Sequence, residues 1–373
     1  MKHKVFHLLT TLDAPDVDKH LLALLPRLDR GRWDVSVGCL EGPGASAARL
    51  GDLGMPVRDF RRRAPFAPLA LSRVKSHLRE LAPDVLHVHL SAAPARAHAA
   101  ALAAAPRASV ATVHSLPRPS GFRPLRAALA RADAVIALSR VHVRELLRAA
   151  AAAPGKIHCI PSALDLQAFD RETRATELRR TLGIPREVRL VLSVAPRASA
   201  ACLKNLVLAA RILSHRFPGF VLLLAGLDPR AERRLHRLVA ALRLAHTVVV
   251  TGLLEDLSAV IREADILLAP SGDESSAHLL LEGMAAGLPT VAARDASVAE
   301  IVLDEATGVL YDPDTPDALA ASLARLLTAP DLARLMGLAA RARVQADFSA
   351  QRLALAVQSL YDDLLSIGPE SIP

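Results

Sequence analysis

Residues 266–289 read ILLAPSGDESSAHLLLEGMAAGLP, and the fold follows from this stretch. Ile266–Ala269 is a short aliphatic run closed by Pro270, the pattern of a strand covered on both faces. A polar loop, Ser271–Glu274, comes next. Ser275 or Ser276 then offers a hydroxyl to cap a helix that ends near Ala286, with Gly287 as its stop and Pro289 beyond. A second strand is expected at Thr290–Ala293. A strand, a helix and a strand in succession make the unit of an α/β fold with parallel sheets.

The same unit repeats in both directions along the chain. Strands are expected at Lys4–Thr10, Asp34–Leu40, Val85–His89, Ser109–His114, Ala134–Ser139 and Ile157–Pro161. In the second half they are expected at Arg189–Ala195, Phe220–Ala225, Thr247–Thr251, Ile266–Ala269, Thr290–Ala293 and Gly308–Tyr311. Helical patterns lie between them at Asp18–Leu28, Leu69–Leu81, Val141–Ala151, Leu203–Phe217, Ala231–Leu242 and Thr315–Leu327. Six strands in each half predict two doubly wound, Rossmann-like domains, with ligands beyond the carboxyl ends of the strands. The polar segment Asp165–Thr181 reads as linker plus connecting helix. The domains are expected at residues 1–170 and 171–347, with the helical stretch 348–366 crossing back to the first.

Composition narrows the class. The chain has 373 residues, 51% hydrophobic and 23% charged, which fits about two packed domains and excludes intrinsic disorder. No apolar run reaches the ~18–20 residues of a membrane span. Val5–Thr10 is short for a signal-peptide core and reads as the first strand. Three cysteines without a CxxC pair argue for a reducing, cytoplasmic setting and against a cysteine-built zinc site. Aromatics at 3% leave few stacking platforms, so nucleic acid is not an expected partner. Charge is uneven: residues 1–165 carry 24 Lys+Arg against 13 Asp+Glu, and residues 166–373 carry 22 against 25. The basic density peaks between Arg58 and Arg79, a patch suited to anionic lipid or a phosphorylated acceptor, or else simply a solvated face.

Candidate chemistry sits just after strands. Glu274 stands at a helix entrance and Glu282 in the helix body. A helix N-terminus attracts phosphate, and carboxylates beside it suit sugar or ribose hydroxyls. Pro196, Arg197 and a small-residue loop follow Arg189–Ala195, with Lys204 and Asn205 opening the next helix. Two such cations can neutralise a leaving diphosphate without a metal, or else are simply surface cations on a loop. His114 ends a strand in the first half. His87 and His89 share one face of a strand, but no third metal ligand is evident, so core or cleft-edge packing is the expectation.

These pieces, in this order, resemble the retaining, nucleotide-sugar-dependent glycosyltransferases of family four (glycosyl transferases group 1). The resemblance rests on His114–Ser115, VLSVAPR with LKN, LLLAGLDP, the Glu-x7-Glu pair Glu274 and Glu282 followed by GMAAGLPTVA, and AEIV with Glu300. PDVLHVHL (83–90), RADAVIALS (131–139), KIHCIPSALD (156–165) and ADILLAPS (264–271) extend it over nearly the whole chain. It implies the GT-B fold, two Rossmann-like domains facing across a cleft. It implies that Arg197 and Lys204 bind the donor diphosphate, Glu282 the ribose, and Glu274 the transferred sugar, with His114 positioning that sugar. Ser275, Ser276, Ala277, His278 and Leu279 then line the donor site. The implied donor is a UDP-sugar, with GDP second, and the acceptor a glycan, a lipid-linked molecule or a small molecule, as in polysaccharide biosynthesis. No cofactor or metal is implied, and peripheral contact with the inner membrane face through the Arg58–Arg79 region fits the basic half.

The chain departs from the family at its glycine loops. The first loop, TLDAPDVDKH (11–20), lacks the family's Gly-Gly and instead offers Asp13, Asp16 and Asp18 as acceptor or loop candidates. Ser162–Ala163–Leu164 stands for Asn-Gly, Ser275–Ser276–Ala277 for Gly-Phe-Gly, and Asp295–Ala296–Ser297 for a small glycine loop. The competing reading is a non-catalytic GT-B protein that binds a nucleotide sugar or scaffolds glycan assembly. An epimerase on the same fold is a third. A dinucleotide oxidoreductase is set aside, since no GxGxxG follows the first strand.

Overall fold

The computed structural model describes residues 2–366 apart from 14, 45, 62–66, 92–95, 104–106, 117–121, 172–177, 196–197, 253, 255, 271–275 and 314. The chain divides into two compact units. The first is Met1–Ala163 with Ala350–Pro373, and the second is Leu164–Ser349.

The first unit is built on seven parallel strands: β1 (His3–Leu9), β2 (Trp33–Cys39), β3 (Val57–Asp59), β4 (Val85–Leu90), β5 (Ala108–Val113), β6 (Ala134–Ala137) and β7 (Ile157–Cys159). Their order is β3-β2-β1-β4-β5-β6-β7. The second unit has six parallel strands: β8 (Arg189–Val194), β9 (Phe220–Ala225), β10 (Val248–Val250), β11 (Ile266–Ala269), β12 (Thr290–Ala293) and β13 (Gly308–Tyr311). Their order is β10-β9-β8-β11-β12-β13. Both sheets wind outward in two directions from a switch point, between β1 and β4 in one and between β8 and β11 in the other. That is the doubly wound α/β arrangement of the GT-B fold class, and the crevice at the switch point is where such sheets take ligands.

The near-continuous hydrophobicity of the strands has its cause here. Every residue of β4, β5, β9 and β11 is buried. Each sheet is covered on both faces. Val5, Leu9, Val85 and Val110 pack under one layer of the first unit, and Phe6, Leu86, Val88 and Ala111 under the other. Val191, Leu222 and Leu268 face one layer of the second unit, and Leu190, Leu223 and Leu267 the other. Sheets buried on both sides lose the polar–apolar alternation of half-exposed strands.

One sequence expectation needs correction. The first sheet has seven strands, not six, because β3 was not foreseen. It is a three-residue edge strand with Arg58 exposed at its centre, too short and too polar to stand out from a loop. The segment 165–181, expected as linker plus connecting helix, is tied to the second unit. Helices Leu166–Arg171 and Leu178–Thr181 occupy its described parts, and Arg179 ties the second to the sheet, donating to Asp265 Oδ2 (2.7 Å), Glu263 O and Val188 O. The division into units falls at 163/164 and 349/350. Leu164 N donates to Phe348 O (2.9 Å) and Leu164 bridges Ser349, so the two passages of the chain are fastened together at these residues.

The helix Ala350–Ser366 belongs to the first unit. Its Leu353, Ala354, Val357, Leu360 and Tyr361 join the layer formed by helix Pro15–Leu24 over β1 and β4. Tyr361 is fully buried against Trp33, with ring centroids 5.3 Å apart.

Candidate functional site

In the second unit, the elements leaving the switch point converge. β8 leads into helix Ala200–Ser214, whose first turn is capped by Ser199 Oγ accepting from Cys202 N at 3.1 Å. Lys204 lies one turn in and is exposed. β11 leads toward helix Ser276–Ala285, which carries Glu282. The two meet where Cys202 Sγ donates to Pro270 O at 3.6 Å. The helix carrying Lys204 is thereby joined to the end of the strand that precedes the Glu282 helix. The thiol contact was not foreseen, and an isolated Cys in a helix gives no signal of it.

Glu282 is buried, with 3% exposure, as is His278 one turn earlier, with 4%. Gly283 explains the depth of Glu282. A Cβ on Gly283 would overlap the Leu267 side chain, so the helix lies directly on β11. The same lack of a side chain sets the helix end: Gly287 has φ +76°, as the sequence predicted for the stop. Leu279 is buried and Ala277 half-buried, while Ser276 begins the helix. Arg197, Glu274 and Ser275 lie outside the described residues. Glu300 sits in the short helix Val298–Ile301, whose carbonyls at Glu300 and Ile301 accept from Arg343.

In the first unit, the switch point is lined with histidine. Strand register places His7 of β1 opposite His87 of β4. His89 follows two residues on, on the same face, and His114 follows β5 with its N–H donating to Leu90 O at 2.8 Å. Helix Pro15–Leu24, which covers this face, adds His20. All five are buried, none more than 4% exposed. His7 Nδ1 is 3.0 Å from His89 Nε2, and His89 Nδ1 is 3.0 Å from His114 Nε2. His87 is held separately, by Tyr361 Oη at 2.6 Å and Thr112 Oγ1 at 2.7 Å. His20 Nδ1 faces Ser162 Oγ at 3.4 Å.

Burial keeps His7, His20, His87 and His89 neutral. It lowers His7 to about 3, with the neighbouring His20 a smaller cause, and His20 to about 4. His87 and His89 fall well below the ordinary histidine value, from burial first and then from neighbouring histidines. A neutral imidazole has one N–H. His89 therefore donates to one neighbour and accepts from the other, which couples the tautomer of His114 to that of His7. His87 and His89 are buried, as the core-packing expectation has it, and the sequence carries no sign of the histidines that join them. The cause is that His7 and His20 come from β1 and the following helix, a contact with no local spacing.

The acidic loop candidates lie beside this face. Asp13 accepts from Thr11 Oγ1 at 3.3 Å and is exposed. Asp16 opens the helix half-buried, and Asp18 accepts from Ser46 Oγ at 2.7 Å. Burial pushes the Asp18 carboxyl up, against the pull of Ser46, Arg49 and Lys19. The loop has its glycine after all, contributed from beyond β2. Gly44, at φ +67°, approaches so closely that a Cβ there would lie 2.8 Å from Asp13 N. Of the basic patch, Arg58, Arg61, Arg73 and Arg79 are exposed, and Arg58 Nη1 lies 2.8 Å from His77 Nδ1. Among the described residues no helix is long and apolar enough to cross a membrane.

Comparison with known proteins bears on both units. Residues 17–168 match the model of Glycosyltransferase Family 4, and residues 174–343 that of Glycosyl transferases group 1. A D-inositol 3-phosphate glycosyltransferase of Salinispora arenicola is 30% identical over 264 residues, covering 65% of this chain and 58% of that protein. Its namesake from Xylanimonas cellulosilytica is 33% identical over 226 residues, covering 58% and 53%. The chain therefore spans a little over half the length of these curated relatives. Among solved structures, a glycosyltransferase from Rickettsia africae superposes with a TM-score of 0.84 at 19% identity, covering 98% of this chain and 100% of that one. Anabaena Alr3699/HepE, solved with UDP and glucose, gives 0.80 at 19% identity, covering 97% and 100%. At such identities the structural likeness establishes the fold. With one family model on each half and the doubly wound sheets they require, the chain belongs to the group 1 glycosyltransferases.

Proposed function

We propose that the chain transfers a sugar from a nucleoside diphosphate sugar to a hydroxyl acceptor, with retention at the anomeric carbon and without a metal in the transfer step. The observation that carries this reading is the Cys202–Pro270 contact. It brings a capped helix N-terminus bearing Lys204 to the strand that leads to Glu282, at the switch point of the second sheet. Backbone N–H groups and a lysine suit a diphosphate, and a buried carboxylate suits the two hydroxyls of a ribose. Arg197 and Glu274 complete the set in this reading, Arg197 on the diphosphate and Glu274 on the transferred sugar. UDP is the first donor to test, in keeping with the UDP and glucose bound by the Anabaena structure.

In the reaction, the acceptor oxygen forms a bond to the anomeric carbon while the bond from that carbon to the diphosphate breaks on the same face. The acceptor proton passes to the departing phosphate oxygen. Such a step depends on positioning and charge stabilisation more than on a strong base. His114 positions the sugar. The acceptor is anionic, because residues 1–165 carry 24 Lys+Arg against 13 Asp+Glu. Inositol 3-phosphate, named for the relatives, is the first to try. A phosphorylated lipid held at the Arg58–Arg79 patch of a protein resting on the inner membrane face is the second.

Calorimetric titration with UDP, GDP and their common sugars tests this. Binding by wild type should fall ~10–100-fold in Arg197→Ala/Lys204→Ala, as expected for charge-assisted contacts of about 1.5–3 kcal/mol. A folded protein that binds no nucleoside diphosphate would leave the non-catalytic scaffold reading in its place.

A further inference from the structure

The histidines of the first unit do more than fill a core. We infer that His20, His89 and His114 form a binding site for a divalent late transition metal, of which Zn2+ is the probe. One ring nitrogen from each lies within 4.8 Å of the others, and all three rings are buried. A tetrahedral zinc with Zn–N bonds of about 2.0–2.1 Å sets its nitrogens about 3.3 Å apart. The His89–His114 pair, now at 3.0 Å, opens by a few tenths of an ångström to admit the ion. His20 closes by about 1.5 Å at most, a swing of one ring tip.

Two observations favour this set. His20 Nε2 is buried without a hydrogen-bond partner among the described residues, which costs free energy unless something is bound there. The outer nitrogens are already braced, His20 Nδ1 facing Ser162 Oγ and His89 Nε2 facing His7 Nδ1. Ligating histidines are held in this way in metal sites, where the second nitrogen fixes the ring and its tautomer.

A second triplet, His7, His87 and His89, is the weaker candidate. Both nitrogens of His87 are occupied, by Tyr361 and Thr112, so a metal there breaks a bond of 2.6 or 2.7 Å. The two triplets share His89, so one ion fills one of them. Three protein ligands leave a tetrahedral ion one open position. The ligand set is neutral, so the ion keeps its double charge and draws hydroxide or another anion to that position. The site shares His114 with the proposed transfer reaction, and a bound metal takes up the nitrogen through which His114 meets His89.

The test uses the full chain, stripped with a chelator and titrated with Co2+, then Zn2+. One Co2+ per chain with the strong visible absorption of a tetrahedral ion is expected, bleached by one equivalent of Zn2+. Zinc-edge X-ray absorption should show imidazole nitrogens at about 2.0–2.1 Å and no sulfur. Ser162→Ala should weaken binding ~10–100-fold and His20→Gln at least as much. His98→Gln, a buried histidine elsewhere in the unit, should leave it unchanged. Where a variant does not fold, the wild-type X-ray absorption decides alone. Absence of stoichiometric binding, sulfur in the coordination shell, or a folded His20→Gln that binds as tightly as wild type overturns the site.

Discussion

Removing one oxygen atom tests how the first unit is locked. Tyr361 is fully buried, and its hydroxyl is 2.6 Å from His87 Nδ1. Tyr361→Phe keeps the ring, its packing on Trp33 and nearly all its apolar area, so the hydrophobic contribution barely changes. What is lost is a buried hydrogen bond, and one nitrogen of His87 is left unpaired in a place water does not reach. Leaving a buried polar group unsatisfied costs about 1–3 kcal/mol. For a unit of this size that lowers the melting temperature by about 2–12 °C. Trp33 makes the assay specific: it is the one tryptophan in the sequence, it is 1% exposed, and it sits in this unit. Urea unfolding followed by its fluorescence, with chelator present so that bound metal does not shift the baseline, reads the first unit alone. Thr112→Val, which strips the other nitrogen of His87, should cost a similar amount. A folded Tyr361→Phe within about 0.5 kcal/mol of wild type would refute the claim that this bond fastens the C-terminal helix to β4.

Two further outcomes concern the second unit. Gly337→Ala should destabilise it by about 1–3 kcal/mol, less the gain in helix propensity, since a Cβ there overlaps the carbonyl of Gly287, which is backbone and cannot turn aside; thermal unfolding checks this, and an unchanged midpoint counts against the packing. Asp304 is partly buried, which opposes its ionisation, but bonds from Leu310 N and Arg294 prevail and hold its carboxyl below the usual range. A depressed carboxylate contributes stability that is fully present above its unfolded value of about 3.9 and is lost as pH falls through the lower, folded value. Asp304→Asn should therefore flatten the stability profile below about pH 4, and an identical acid limb in the variant would remove Asp304 from the account.

The fold was legible where burial is two-sided. β4, β9 and β11 are aliphatic runs long enough to stand out, and Gly287 marked a helix end. β3 was hidden because a short edge strand needs little apolar surface. Lys204 and Glu282 stand out in the sequence because they follow strands at spacings a family shares. His7 and His20 do not. Nothing local tells that His7 will lie opposite His87, for strand register between β1 and β4 joins residues eighty positions apart. Gly44 was overlooked for the same reason: it serves the loop after β1 from a different segment.

The place of helix Ala350–Ser366 in the first unit has a consequence for how the protein is made. Residues 164–349 form a continuous unit, whole as soon as they leave the ribosome. The first unit is begun earlier and finished later, because Val357, Leu360 and Tyr361 are part of its interior. At about 5–20 residues per second, its opening 163 residues wait roughly 10–40 s for that helix. Through this interval the layer over β1 and β4 lacks the side chains of that helix, and His87 lacks its Tyr361 partner. The half translated second is the half completed first, and the nascent first half is the one that a chaperone meets unfinished.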